Sequence, residues 1–240
     1  MSEEYDPDNF FDRRSDEQTL ELHYAHMHDR ERELLGPRLP VGGTALSVGC
    51  GWDPGRHLFP KPNWSLTGVE LDPSWPTAMV ADGTLDAGFA ARAGELERHV
   101  SAGSFDVVYY RLVLHHIAYQ GPLAPVFGEA ARLLRPGGML IAVEPGAWHP
   151  VGAALALANT VGLGTAVHGT PDDVPLSPGE LVSVARAAGL TPALHALTYS
   201  WRRMPQAVQR ALWPVDRALG ARRRTAMLGH TLLLVARRPL

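Results

Sequence analysis

Short apolar runs closed by glycine or proline recur along this chain, and between them apolar residues return at helical spacing. The first helical stretch carries Leu20, Tyr24, Met27, Leu34 and Leu35. Ser15, with Gln18 three positions on, forms a capping-box pattern ahead of it, and Gly36-Pro37 stops it. The runs Thr44–Val48, Ser65–Val69, Phe105–Tyr110, Met139–Val143 and Leu232–Ala236 suit strands buried in a sheet. Met79–Ala81 and Leu194–Tyr199 complete a predicted set of seven. Helices are expected over Phe89–Val100, Val126–Leu134 and Pro178–Ala188, with a short one at Pro54–Phe59 and an Arg-rich one before the last strand. Residues 145–176, rich in Gly, Ala and Pro, show little period. Strands alternating with helices predict crossover units and a mostly parallel sheet.

At 240 residues the chain suits one large α/β domain, and neither an internal repeat nor a linker divides it. No run approaches the ~20 apolar residues of a membrane span. The first thirty residues are acidic and polar, unlike a secretory signal, so a cytoplasmic location is expected. The single cysteine, Cys50, excludes an internal disulfide and a cysteine-based zinc cluster. The net charge of −3 conceals an asymmetry: residues 1–40 carry eleven acids and five arginines, residues 201–240 nine arginines and Asp216 alone. Those arginines are interspersed with Trp201, Leu212, Trp213 and Leu219, which favours a solvated helix face docked on the acidic N-terminal region over a nucleic-acid surface. Neither nucleic acid nor membrane is expected as a partner, and no metal. The oligomeric state stays open, a homodimer included.

In an open α/β sheet, ligands bind beyond the C-terminal ends of the strands, so the residues just after each strand carry the chemistry. After the first come Gly49-Cys50-Gly51-Trp52-Asp53-Pro54-Gly55, where glycines permit a sharp turn and close backbone approach to a ligand. Glu70 follows the second, 21 positions beyond Gly49, where a carboxylate can accept from both hydroxyls of a ribose. Asp82-Gly83 follow the predicted third strand, Arg111, Leu112, His115 and His116 the fourth, and Glu144-Pro145-Gly146 the fifth.

This ordered series resembles the small-molecule class I S-adenosylmethionine-dependent methyltransferases, the group that includes the ubiquinone- and menaquinone-pathway enzymes. The stretches that carry the resemblance are Leu46–Gly51, Leu66–Pro73, Ala81–Gly83, Ser104–Val108 with Leu114–Ile117, and Arg132–Gly138. Pro175–Leu181 with Ala188–Leu190 is similar to the helix before the family's sixth strand. The resemblance implies a Rossmann-like αβα sandwich: a mostly parallel seven-stranded sheet with an antiparallel last strand, all in one domain. It also implies S-adenosylmethionine as cofactor. Gly49, Cys50 and Gly51 would pass beneath its methionine part, Glu70 would bind the ribose, and Leu71 would pack on the adenine. Asp82 and Gly83 would meet the adenine amino group, and Arg111 and Leu112 would face the cofactor through backbone atoms. Two departures stand out. Ser47 occupies the place of a usual acidic residue, and Asp53 that of the loop's third glycine. Asp53 or an N-terminal residue is then a substitute partner for the cofactor's amino group.

Outside these stations, the N-terminal helical region (1–40) and residues 145–190 are expected to form a lid. Tyr24 and His28 on the first helix, with Trp148 and His149, are its candidate acceptor-binding residues, His26 and His168 being further candidates. His116, and after it His115, is the candidate general base, because imidazole titrates near neutral pH. Tyr110-Arg-Leu-Val113 stands where amino-methylating nucleic-acid enzymes carry Asn/Asp-Pro-Pro-aromatic, so a small acceptor methylated on oxygen or carbon is expected. Two rivals remain: a protein of this fold that binds the cofactor without transferring methyl, and a nicotinamide-dependent oxidoreductase.

Overall fold

The computed structural model describes residues 16–168 and 174–240. Helix α1 (Glu17–Leu35) leads into β1 (Gly43–Val48), β2 (Trp64–Glu70), α2 (Ser74–Ala81), β3 (Ala87–Ala90) and β4 (Phe105–Arg111). Then come α3 (Leu114–Gln120), α4 (Ala124–Leu133), β5 (Leu134–Pro145), α5 (Pro150–Thr160), α6 (Gly164–His168) and α7 (Pro178–Ala187). β6 (Thr191–Thr198), α8 (Gln206–Leu219), α9 (Arg223–Ala226) and β7 (Thr231–Arg237) complete the chain. The seven strands form one sheet in the order β3-β2-β1-β4-β5-β7-β6. Six strands run parallel, and β7 lies antiparallel between β5 and β6. This is the Rossmann-like methyltransferase fold.

Period-two alternation divides the core between the two faces of the sheet. Val108 and Tyr110 of β4 point to the face covered by α3, α4 and α7, where they join Leu46, Leu140, Leu114, Phe127 and Leu181. Val107 and Tyr109 point to the other face, with Ala45, Ile141, Leu233 and, from α1, Met27 and Leu35. The order reverses between β1 and β4, and a cleft opens at their C-terminal ends, as expected at a topological switch point.

The acidic first helix and the basic C-terminal region do dock. Arg217 Nη2 of α8 reaches Glu33 Oε1 of α1 at 2.7 Å, and His26 Nε2 donates to the buried Asp216 Oδ2 at 2.7 Å. The His26 ring also stacks on Trp213, with centroids 4.5 Å apart. Ser15, the predicted cap of α1, lies outside the described residues; Asp16 is the cap position and its side chain makes no capping bond. None of the described helices is long and apolar enough to cross a membrane.

Three expectations are corrected. Met79–Ala81 is the last turn of α2, and the third strand is Ala87–Ala90, which pairs with β2 from Thr67↔Ala87 to Glu70↔Ala90. Four residues with two small apolar side chains give no strand signal; their backbone bonds to β2 decide their state. Phe89–Val100 is correspondingly not a helix: a single 3₁₀ turn, Leu96–Arg98, follows Gly94, which lies at φ 93°. Pro54–Phe59 is likewise reduced to one turn, closed by the Leu58 and Phe59 N–H groups on the Gly55 carbonyl.

Candidate cofactor and acceptor site

The cleft has a volume of about 1100 Å³, room for a nucleotide and a small second ligand. Its floor is the loop after β1. Gly49 sits at φ 64°, and a Cβ there would meet Val113 Cγ2 at 2.3 Å, so the closeness of the loop to the β4–α3 turn requires glycine. Glu70, at the end of β2, accepts the Gly51 N–H at 3.1 Å through Oε2 and the Leu71 N–H at 2.9 Å through Oε1. Each oxygen retains a lone pair for a ligand hydroxyl, and Glu70 and Leu71 both line the cleft. Cys50 is also in the floor, buried, and burial with the nearby Glu70 charge pushes its thiol up to about 12.

Asp82 and Gly83 are not at this site. Asp82 is the exposed C-cap of α2 and accepts the Thr84 N–H at 2.8 Å, while the Gly83 carbonyl accepts from Lys61 Nζ. The third station is occupied by Ala91, Arg92 and Ala93, because β3 ends at Ala90. No carboxylate stands there.

Past β4 the chain makes a strained turn. Leu112 lies at φ 54°, unusual for a residue with a Cβ, and its N–H is held by the Val143 carbonyl at 2.8 Å. Glu144, fully buried at the end of β5, accepts the N–H groups of Val113 (3.0 Å) and Leu114 (2.7 Å), fixing the start of α3. The same carboxylate accepts His115 Nδ1–H at 2.6 Å, so His115 is a tethered, buried side chain. His116 is half-buried on the cleft wall with its ring centroid 4.1 Å from that of His115.

Arg111 turns its side chain, not only its backbone, toward the cleft. Its Nη1 donates to Asp53 Oδ2 at 2.9 Å, and its Nε points at Glu31 Oε1 from 3.4 Å. Glu31, wholly buried on α1, also accepts from Tyr109 Oη at 2.7 Å and His57 Nε2 at 2.9 Å. Burial works to raise the Glu31 pKa, but these hydrogen bonds and the Arg111 charge outweigh it and hold it below its usual value. Asp53 behaves alike: despite burial, the His28 bond and the Arg111 charge bring it to about 2. His28, Asp53 and His57 bring potential metal-ligand atoms within 4.8 Å of one another. However, the guanidinium already sits 2.9 Å from the shared carboxylate, where a metal's charge would have to be. The trio reads as an ion-pair network.

Of the residues expected to hold an acceptor, Tyr24 lines the cleft, its ring 5.8 Å from Arg111 Cζ and edge-on to Trp52. His28 is drawn behind Asp53, to which its Nε2 donates at 2.8 Å. Trp148 is half-exposed outside the walls, and His149 is the N-cap of α5, its Nδ1 accepting the Val151 N–H at 3.2 Å. Sequence reasoning missed His23, Leu155, Trp201, Arg202 and His230, all of which line the cleft. His23 Nδ1 faces Gln209 Oε1 at 3.3 Å. The Gln209 amide nitrogen is committed to the carbonyls of Met204 (2.9 Å) and Arg202 (3.3 Å), so His23 must be the donor and its Nε2 carries the lone pair. Burial brings His23 to about 3, and His230 well below its ordinary value, so both imidazoles are neutral.

Residues 46–142 match the family described as a methyltransferase domain. Among curated proteins, none matches the chain. Solved structures share the fold. A SAM-dependent methyltransferase of Thermotoga maritima aligns at 15% identity and TM-score 0.62, over 92% of this chain and 91% of its own. A SAM-dependent methyltransferase of Archaeoglobus fulgidus aligns at 12% and 0.59, over 90% and 94%. The [4+2]-cyclase SpnF aligns at 20% and 0.58, over 88% and 81%. The matched domain and the shared fold are those of methyltransferases, among them S-adenosylmethionine-dependent ones. The residues present fit S-adenosylmethionine: Glu70 faces the cleft with free acceptor capacity, and Arg111 Nη2 is a buried donor with no hydrogen-bond partner among the described residues.

Proposed function

We infer that the protein transfers a methyl group from S-adenosylmethionine to a small-molecule acceptor, on oxygen or carbon. The observation that carries the acceptor class is the wall beyond the cofactor floor. There His23, Tyr24 and Met27 of α1, Leu155 of α5 and Trp201 line the cleft together with Arg202 and Arg203, a lining suited to a small molecule with an apolar body and polar groups. The Tyr110–Val113 stretch, without the Pro-Pro-aromatic geometry of the amino-methylating nucleic-acid enzymes, favours the same reading.

The bound cofactor supplies an electrophilic methyl on a sulfonium. The chain's own residues must align the acceptor with it and keep water out. Glu70 holds the ribose, and the Gly49–Gly51 backbone lets the cofactor lie close. Among the imidazoles, His115 is a positioning residue, since its Nδ1 proton is given to Glu144. His116 is the candidate to take a proton from the acceptor. His23, kept neutral with Nε2 bare, is suited to accept a hydrogen bond from an acceptor hydroxyl and so to orient it. The likeness to quinone-pathway enzymes rests on the motifs of residues 45–145 and leaves the acceptor unidentified.

A nicotinamide-binding site needs a helix N-terminus behind its glycine loop to meet a pyrophosphate. Here residues 54–63 contain only turns, which disfavours that reading. Ser47 in place of the family's acid is the observation that keeps the non-methylating reading in view. Calorimetry with S-adenosylmethionine, S-adenosylhomocysteine and NAD tests the cofactor, and mass spectrometry of co-purified ligands identifies the acceptor. Binding of NAD with no response to either sulfur nucleotide overturns the assignment; cofactor binding without methylation of any co-purified molecule favours the non-methylating reading.

A further inference from the structure

Ser47 leaves the amino-acid end of the cofactor without its usual carboxylate partner. Ser47 itself is 2% exposed, inside β1. Next to that vacancy in the sequence pattern, the structure holds two carboxylates and one guanidinium: Glu31 and Asp53 around Arg111. Glu31 is spent, since Tyr109, His57 and Arg111 all approach it and none of it reaches solvent. Asp53 is not. It lines the cleft, and its Oδ1 holds a long bond from the Gly55 N–H, at 3.3 Å, with His57 Nδ1 farther off at 3.8 Å. Arg111 is incompletely used as well: with Nη1 on Asp53 and Nε toward Glu31, its Nη2 is buried with no hydrogen-bond partner among the described residues. An orphaned guanidinium nitrogen in a low-dielectric wall is costly unless an anion meets it. The ionised Asp53 carboxylate, which lines the cleft, is the matching acceptor for an ammonium. One ligand group meets both demands together: an α-amino acid zwitterion.

We propose that Arg111 and Asp53 form a zwitterion clamp for the methionine end of the cofactor, with Arg111 Nη2 taking the carboxylate and Asp53 the ammonium. This rests on the S-adenosylmethionine reading and deepens it. Glu31 and His28 are the positioning residues: Glu31 fixes the guanidinium from behind, and His28 Nε2 at 2.8 Å fixes the Asp53 carboxylate. Tyr24, whose ring centroid lies 5.8 Å from Arg111 Cζ, packs beside the clamp. The clamp moves the recognition of the amino-acid end from β1, where the family keeps it, to the loop after β1 and the end of β4.

The experiment is calorimetric and needs no acceptor. S-adenosylhomocysteine and 5′-methylthioadenosine share the thioether nucleoside, but only the first carries the amino acid. Wild type should bind the first more tightly than the second, and Arg111→Met should weaken the first about tenfold to a hundredfold, the range of lost charge-assisted hydrogen bonds, without changing the second. Asp53→Asn should lose a similar factor on the same ligand alone; it keeps the shape of the network and decides the matter if Arg111→Met fails to fold by circular dichroism. Equal affinity of wild type for both ligands overturns the clamp and leaves the nucleoside site standing. Unchanged S-adenosylhomocysteine binding in a folded variant, or an equal loss on both ligands, also overturns it. Wild type that binds neither ligand overturns the cofactor reading itself.

Discussion

Gly51 and Glu70 are tied to each other across the cleft floor, the Gly51 N–H donating to Oε2 at 3.1 Å while the Leu71 N–H takes Oε1. One carboxylate therefore both shapes the loop after β1 and faces the ligand. Replacing Glu70 with Ala removes a hydrogen-bond acceptor worth ~1–3 kcal/mol, so S-adenosylhomocysteine affinity should fall about tenfold or more with the fold intact. Calorimetry on a variant with an unchanged circular dichroism spectrum checks this; equal affinity would mean Glu70 serves the loop alone.

Cys50 lies in the same floor, yet its thiol is pushed up to about 12 by burial first and the Glu70 charge second. It should be almost wholly protonated and unreactive at neutral pH. Folded protein should react with iodoacetamide far more slowly than denatured protein, and Cys50→Ala should retain cofactor binding. Rapid labelling of the native state would refute this.

The Glu31 carboxyl is held below its usual value of 4.5, so it is a source of stability that depends on pH. For a depressed carboxyl the stabilisation is fully present above the unfolded pKa and fades as pH falls toward the folded one. Thermal midpoints of wild type and Glu31→Gln should therefore differ most at neutral pH, and the gap should narrow progressively below about pH 4.5. A gap that stays constant from neutral to acid pH would show that the ionised form is not what the fold uses.

Leu155 and Trp148 separate the acceptor wall from its surroundings. Leu155 lines the cleft, whereas Trp148 is 49% exposed outside it. Leu155→Trp should raise the Michaelis constant of the acceptor several-fold or abolish its use, with S-adenosylhomocysteine affinity unchanged. Trp148→Ala should leave both unaltered. Steady-state kinetics with the acceptor found by mass spectrometry distinguishes these outcomes; a large effect of Trp148→Ala alone would place the acceptor on the outer face of α5.

The stations after β1, β2 and β4 were legible in the sequence because sharp turns there demand particular residues: Gly49 packs against Val113, and Glu70 caps the loop. The station after β3 was not. Met79–Ala81 is an apolar run too short for its period to separate strand from helix, and Ala87–Ala90 owes its state to pairing with β2. That slip carried Asp82 and Gly83 to the wrong end of α2. The polar network around Arg111 was hidden for another reason. Glu31 meets His57, Tyr109 and Arg111 across 26 to 80 positions, and no local spacing reports such a meeting. His23 and His230 escaped likewise, being joined only where α1 crosses the start of β7.

The antiparallel last strand has a consequence for the order of assembly. Among the described residues, β6 pairs with no strand except β7, which sits between it and β5. During synthesis, β1 to β5 can pair as soon as they emerge, but β6 has helices α1 and α7 to pack on and no strand to pair with until Thr231–Arg237 has been made. Asp216, which anchors α1 through His26, belongs to the stretch that waits. The helix that sets Glu31 behind the cleft wall is thus made before the sheet and among the last elements to be fastened, so a nascent chain stalled before β7 would have the glycine loop in place with its polar wall unsecured.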